Sequence, residues 1–282
     1  MKFWCTEQAG ITQSSFNSWA PAKIPKVALI LIVAASLLKG IVWSLVVPPL
    51  YGFDEPQHLI YGRYILKTHN LRIKPTTLIP LDIWELDEPP DKRTRFETET
   101  RAREQYYDDV DRVVVKQPSF YTYHPPLYYC LVAAVSYCTQ HVQTVWEVLA
   151  SRAISVALGI CTAIMAFFAG RIFYKGDDCL APMAMAMLVI YQPMSAFTFA
   201  TITNCAMEIT LVSLLIVTGL AIIQTKPGKS SLVLSVIMVA GILNKLSFTA
   251  LVPSVAGLAL CDWKNKRKIS PQSGKKFQAM GY

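Results

Sequence analysis

The strongest constraint on this chain is a set of uncharged apolar stretches too long for the core of a small soluble domain. Residues 27–38 continue past Lys39 to residue 50, and residues 153–170 and 179–207 carry no charge at all. A helix needs about 20 apolar residues to cross the hydrocarbon of a bilayer, and a backbone inside lipid must satisfy its own hydrogen bonds, so spanning helices are expected. The composition agrees, since 53% of the 282 residues are hydrophobic and 16% charged. That balance implies an all-α integral membrane protein.

Charge placement then suggests an orientation. Lys2, Lys23 and Lys26 stand against Glu7 before the first stretch, which reads as a cytoplasmic N-terminal segment 1–26 followed by an uncleaved anchor. Much of the net charge of +8 gathers at segment ends and in the tail 263–282, at Lys264, Lys266, Arg267, Lys268, Lys275 and Lys276. Membrane topology accounts for that excess, and no nucleic-acid partner is expected.

One stretch decides the topology: PPLYYCLVAAVSYCTQHVQ, residues 125–143, has the length of an interfacial helix. If it stays at the surface, the external loop covers about 51–151 and later spans fall near 153–170, 180–200, 205–224, 231–244 and 246–262. Arg171, Lys175, Lys226, Lys229 and the tail then all become cytoplasmic, as the positive-inside rule prefers. The expected architecture is one membrane domain, 27–262, with about six transmembrane helices and a large first external loop carrying interfacial helices. The last two spans are short on either side of Lys245 and need tilt or local thinning.

Within the external loop, KPTTLIPLDIWELDEPPDK at residues 74–92 reads as irregular chain. RFETETRAREQYYDDVDR, 95–112, offers Glu97 to Arg101 and Glu99 to Arg103 at helical spacing, which predicts a short solvated helix. The seven cysteines are isolated, with no CxxC, so neither a disulfide framework nor a zinc site is expected.

Chemistry-bearing residues cluster where apolar chain meets the external loop. In VVPPLYGFDEPQHLIYG, 46–62, Pro48 and Pro49 end the first span and a helix is expected to begin near Pro56, with Asp54 at or before its N-cap and its carboxylate facing the first-turn amides. His58, Tyr61 and Ile65 then share a face, and the pair Asp54 and Glu55 lies nearest the lipid surface, suited to taking a proton from a hydroxyl. An acidic N-cap that merely stabilises the helix is an equally common arrangement. YTYHPPLYY, 121–129, sets His124 and Tyr128 before the interfacial stretch, where an aromatic belt is the plainer reading of the tyrosines. His58 and His124 with Asp54 lack the tight spacing of a metal site, so no metal or other cofactor is expected.

Together, GFDEPQH and HPPLYY resemble the polyprenyl-phosphate-sugar-dependent membrane glycosyltransferases of the GT-C fold. The likeness is to the protein O-mannosyltransferase and aminoarabinose transferase group and to bacterial membrane proteins with a DE-P-x-H signature. It extends through SRAISVALGICTAIMAFFAGRIFYKGDD and GILNKLSFTALVP, covering most of residues 46–253. The resemblance implies an external-face reaction in which Asp54 is the general base, with Glu55 beside it, and the phosphate of a polyprenyl-phosphate-linked sugar leaves as an acceptor attacks. The acceptor is a lipid, glycan or protein, and the membrane a bacterial plasma (inner) membrane. Lys245 is the first candidate to receive the phosphate charge, with Arg63 and Arg152 behind it, while His58, His124 and Tyr128 would orient substrate. The family's second external acid is missing: Asn204 and Cys205 stand where an Asn-Asp pair is expected, with Glu208 a turn further on. The chain is also shorter than such enzymes, which leaves room for a partner subunit to complete the donor groove.

Two other readings stay open on the sequence. A lipid-linked sugar transporter or flippase would also need cations and aromatic rings near headgroups. A non-catalytic subunit could keep the fold and lose the second acid.

Overall fold

The computed structural model describes residues 26–72, 79–80, 112–113, 124–174, 179–224, 230–261 and 263. In order these form α1 (Lys26–Val46), α2 (Glu55–Thr68), a two-residue antiparallel pairing of β1 (Ile79–Pro80) with β2 (Arg112–Val113), α3 (Leu127–Thr139), α4 (Thr144–Tyr174), α5 (Leu180–Tyr191), α6 (Pro193–Thr198), α7 (Asn204–Gln224) and α8 (Ser230–Asn244). A final helix, Leu246–Cys261, opens with a 3-10 turn. Three helices among the described residues, Lys26–Val46, Thr144–Tyr174 and Asn204–Ile223, are long and apolar enough to cross a membrane. Their outward side chains, such as Ile30, Leu38, Leu45 and Ile216, are exposed and apolar, as lipid contact requires. Apart from the β1–β2 pair, the described residues are almost wholly helical, as in an all-α membrane protein.

α4 is the axis. α1, α5 and α7 all pack along it, α8 packs on α7, and α2 with α3 forms a platform across its N-terminal end. Packing at the seam of α1 follows a four-residue rhythm: Ala28, Ile32, Ser36, Gly40 and Ser44 are its buried residues. Small residues at that spacing let helices approach closely in lipid, where no hydrophobic drive separates them from solvent. Gly40 shows how closely, because a Cβ there would lie 2.6 Å from a Val156 methyl of α4. The apolar core divides into three clusters: the platform (Leu59, Tyr61, Tyr129, Val132, Val148), the far end of α1, α4 and α5 (Ile32, Phe167, Ile190), and the α7–α8 side (Leu215, Leu234, Ile237, Phe248).

Several expectations are corrected. The continuous span expected at 180–200 is broken at Gln192, whose extended backbone precedes Pro193. Proline disfavours helical backbone in the residue before it and cannot donate to the turn behind; Gln192 answers by accepting the amide of Ser195 on its side chain. The span expected at 153–170 is longer at both ends, so Arg152 lies inside α4 and not before it. The stretch 125–143 shrinks to the 13 residues of α3. The helix expected over 95–112 falls outside the described residues except at Arg112, which pairs with Pro80 as extended chain.

Candidate functional site

The turn between α1 and α2 sets the geometry. Leu50 and Asp54 both take left-handed backbone, at φ 67° and 56°, a conformation that asparagine and aspartate tolerate and that costs a leucine more. Between them Gly52 meets residues 200–203, since a Cβ on it would lie 2.8 Å from Thr201 Cβ and Cγ2. Strain concentrated in so few residues persists only where surrounding contacts hold it.

Those contacts come from Glu55 and Arg152, both fully buried. Glu55 Oε1 accepts from Arg152 Nε at 2.8 Å and from the Ile202 amide at 2.9 Å, and Oε2 accepts from Arg152 Nη2 at 2.7 Å and from the Gly52 amide at 3.2 Å. The rest of the guanidinium donates to the carbonyls of Ser44 and Val47 at 2.6 Å and Pro48 at 2.7 Å. These are the carbonyls at the C-terminal end of α1, which have no helical partners of their own. A planar fork of five N–H donors fits a carboxylate and a helix end at once, as lysine could not. Arg152 is thus committed to the frame, with all its bonds made to Glu55 and the end of α1, and Glu55 likewise positions the turn.

Arg63 is also spoken for. Its Nε donates to Glu147 Oε2 at 3.1 Å and its Nη2 to Thr144 Oγ1 at 3.2 Å, while Ser136 donates to Glu147 at 2.6 Å. This knot fastens α2 to α3 and the start of α4.

Asp54 differs. Its carbonyl accepts the amides of Gln57 and His58, but its side chain makes no capping bond and is exposed. The expected capping role is therefore wrong: left-handed backbone turns the carboxylate away from the first-turn amides.

Within electrostatic reach of Asp54 is a polar group drawn from the segment before α3, from α7, from the end of α8 and from the start of the final helix. His124 Nδ1 lies 3.3 Å from Asn204 Nδ2, and Asn244 Nδ2 donates to the Asn204 carbonyl at 3.1 Å. Lys245 Nζ meets Glu208 Oε2 at 3.0 Å and Cys205 Sγ at 3.3 Å, and Ser247 donates to Glu208 Oε1 at 2.6 Å. An ammonium has three donors, so two are used here. Burial lowers the His124 pKa, Lys245 lowers it further, and Asp54 and Glu208 only partly offset this; all three charges act on one imidazole. Burial also lowers that of Lys245, but the bond to Glu208 and the neighbouring Cys205 outweigh it and the net shift is upward, so the cation persists.

His58 and Tyr128 stand beneath this group. His58 Nδ1 is 3.0 Å from Tyr129 Oη, stacked on that ring, and burial, with His124 and Lys245 adding to it, lowers its pKa to about 3. Tyr128 Oη contacts Ser155 Oγ at 3.1 Å and accepts the Thr203 amide at 3.0 Å; burial drives its pKa upward. Both are neutral side chains that join α2, α3, α4 and residues 201–203. Tyr61 Oη donates to the carbonyls of Leu71 and His124, which locks His124 over α2.

Of the ten residues picked from the sequence, Asp54, His58, His124, Tyr128, Asn204, Glu208 and Lys245 come together with the Glu55–Arg152 frame at one end of the bundle, while Arg63 sits in a separate knot. Cys205 and Asn244, both in contact with the cluster, were missed as participants. The available signal lay in their neighbours, since Asn244 precedes Lys245 and Cys205 follows Asn204. Among the described residues no group of three or more His, Cys, Asp or Glu could hold a metal ion. No family model, curated protein or solved structure matches the chain.

Proposed function

We propose that this chain is a membrane glycosyltransferase that takes a sugar from a polyprenyl-phosphate donor at the external face, with Asp54 as general base. The observation that carries this reading is the Asp54 carboxylate: exposed, free of capping bonds, and held by a buried frame opposite His124 and Lys245. An acceptor O–H or N–H gives its proton to Asp54 as the heteroatom bonds to the anomeric carbon; the bond from that carbon to phosphate oxygen breaks, and the phosphate departs with the electron pair, inverting the centre. Lys245 supplies cationic charge where negative charge grows. His124 positions substrate, with Asn204 beside it and the buried Tyr128 fixing residues 201–203 beneath, and Glu208 holds Lys245 in place of the missing acid. The alternating course of α1, α4, α5 with α6, α7, α8 and the final helix supports six crossings, with the first external loop and α3 at the outer surface.

The test is transfer by the full chain reconstituted with a polyprenyl-phosphate sugar and a hydroxyl acceptor. Asp54→Asn should lower turnover about 100-fold or more, the usual worth of a positioned base. Unchanged turnover in that variant would sink the assignment, and movement of the lipid-linked sugar across the bilayer without a new glycoside would identify a transporter instead.

A further inference from the structure

A second polar feature lies within the membrane-crossing part of the bundle, apart from the Asp54 group. Lys39 lies seven residues before the end of α1, about 10 Å below that end at 1.5 Å per residue. It lines a cleft with Ser36 and Gly40 of α1, Gly159 of α4 and Ser195 and Phe199 on the α6 side. Among the described residues no carboxylate pairs with Lys39. Ser36 is 8% exposed, and its hydroxyl is buried without a hydrogen-bond partner. An ammonium and a hydroxyl in low dielectric are costly unless something answers them. At the two glycines the neighbouring chains pack close, Val156 on Gly40 and Phe199 on Gly159, and next in sequence to the cleft residues stand exposed Leu38, Leu188 and Met194, apolar side chains suited to acyl or prenyl chains.

We propose that this cleft binds the phosphate group of a membrane lipid, with Lys39 supplying charge, Ser36 and Ser195 supplying hydroxyl donors, and the chains lying along α1 and α5. The inference does not depend on Asp54 chemistry and stands or falls separately.

The test is native mass spectrometry of the full chain in detergent, titrated with phosphatidylglycerol, with diacylglycerol of the same chains, and with inorganic phosphate. Wild type should retain phosphatidylglycerol at least about 5-fold over diacylglycerol, since a hydrogen bond to a charged group is worth that much or more. Lys39→Met, which makes α1 more apolar, should abolish the preference, and Ser36→Ala should reduce it about 2-fold. Ser195→Leu, which fills the cleft from α6 and leaves Lys39 intact, should also weaken retention. Equal retention of the two lipids by wild type, or an unchanged preference in Lys39→Met and Ser195→Leu, would overturn the proposal. Inorganic phosphate binding as tightly as the lipid would overturn the lipid as the source of the group.

Discussion

Two acid–base pairs sit at the same end of this bundle, and they do opposite work. Glu55 and Arg152 are fully buried, and between them satisfy two backbone amides and three carbonyls. Lys245 and Glu208 are partly exposed, with 26% and 22% of their side chains accessible, and the ammonium keeps a donor beyond its two contacts. The first pair is closed, so it can fix geometry and nothing else. The second is open, so it can meet a ligand. Charge alone does not mark a functional residue; unused bonding capacity at an accessible edge does.

The comparison can be broken most forcefully at Arg152. Arg152→Met strands a buried carboxylate and the carbonyls of Ser44 and Val47 and should cost about 3–5 kcal/mol, read as loss of folded protein on denaturant titration in detergent. Adding Glu55→Leu should not restore wild-type stability, because the carbonyls of Ser44 and Val47 lose the donors that Arg152 gave them. Gly62→Val probes the same closed region by packing alone: its Cβ would fall 2.5 Å from a Val132 methyl, with the Ala133 amide nitrogen at 3.2 Å. About 1–3 kcal/mol should be lost in the same titration.

A smaller effect should come from pH. The folded-state pKa of His58 is depressed to about 3, below the ordinary 6.5, so its contribution to stability is present above pH 6.5 and drains away as pH falls toward 3, where the unfolded chain binds the proton and the folded one does not. The melting temperature of wild type should therefore fall between pH 7 and pH 4. His58→Gln should flatten that fall without abolishing it, since the lowered pKa of His124 acts with the same sign. Lys245→Met should change stability least, by under about 1 kcal/mol for a solvent-screened pair, yet it should lower turnover about 100-fold in the transfer assay if an open cation serves the leaving group. A large loss of stability in that variant would make the second pair structural like the first.

How much of this was legible in advance follows the range of the forces involved. Apolar length made the spanning helices of α1, α4 and α7 readable, and proline placement located the start of α2 to within a residue of Pro56, because both effects are local. The interruption at Gln192 was also local and was written in Pro193, but the surrounding apolar run masked it. The partners of Arg152 could not be read, since they stand 97 to 108 positions away along the chain, and an arginine at a span end looks alike whether it faces headgroups or a buried acid. Asp54 was picked for its chemistry and misplaced in its geometry, for an acidic residue before a proline-led helix ordinarily caps it.

The bond from the Ile202 amide to Glu55 carries a consequence for how the chain is made. Glu55 emerges early in synthesis, yet its guanidinium partner follows 97 residues later and its last amide donor 147 residues later. Until then the turn bearing Asp54 has only its own local bonds, such as that from the Gly52 amide to Glu55, to hold its left-handed backbone. A ribosome-bound intermediate ending before residue 202 would have α1 and α2 made while the candidate site stayed unformed, so the order of synthesis itself delays the site until the bundle that supports it has assembled.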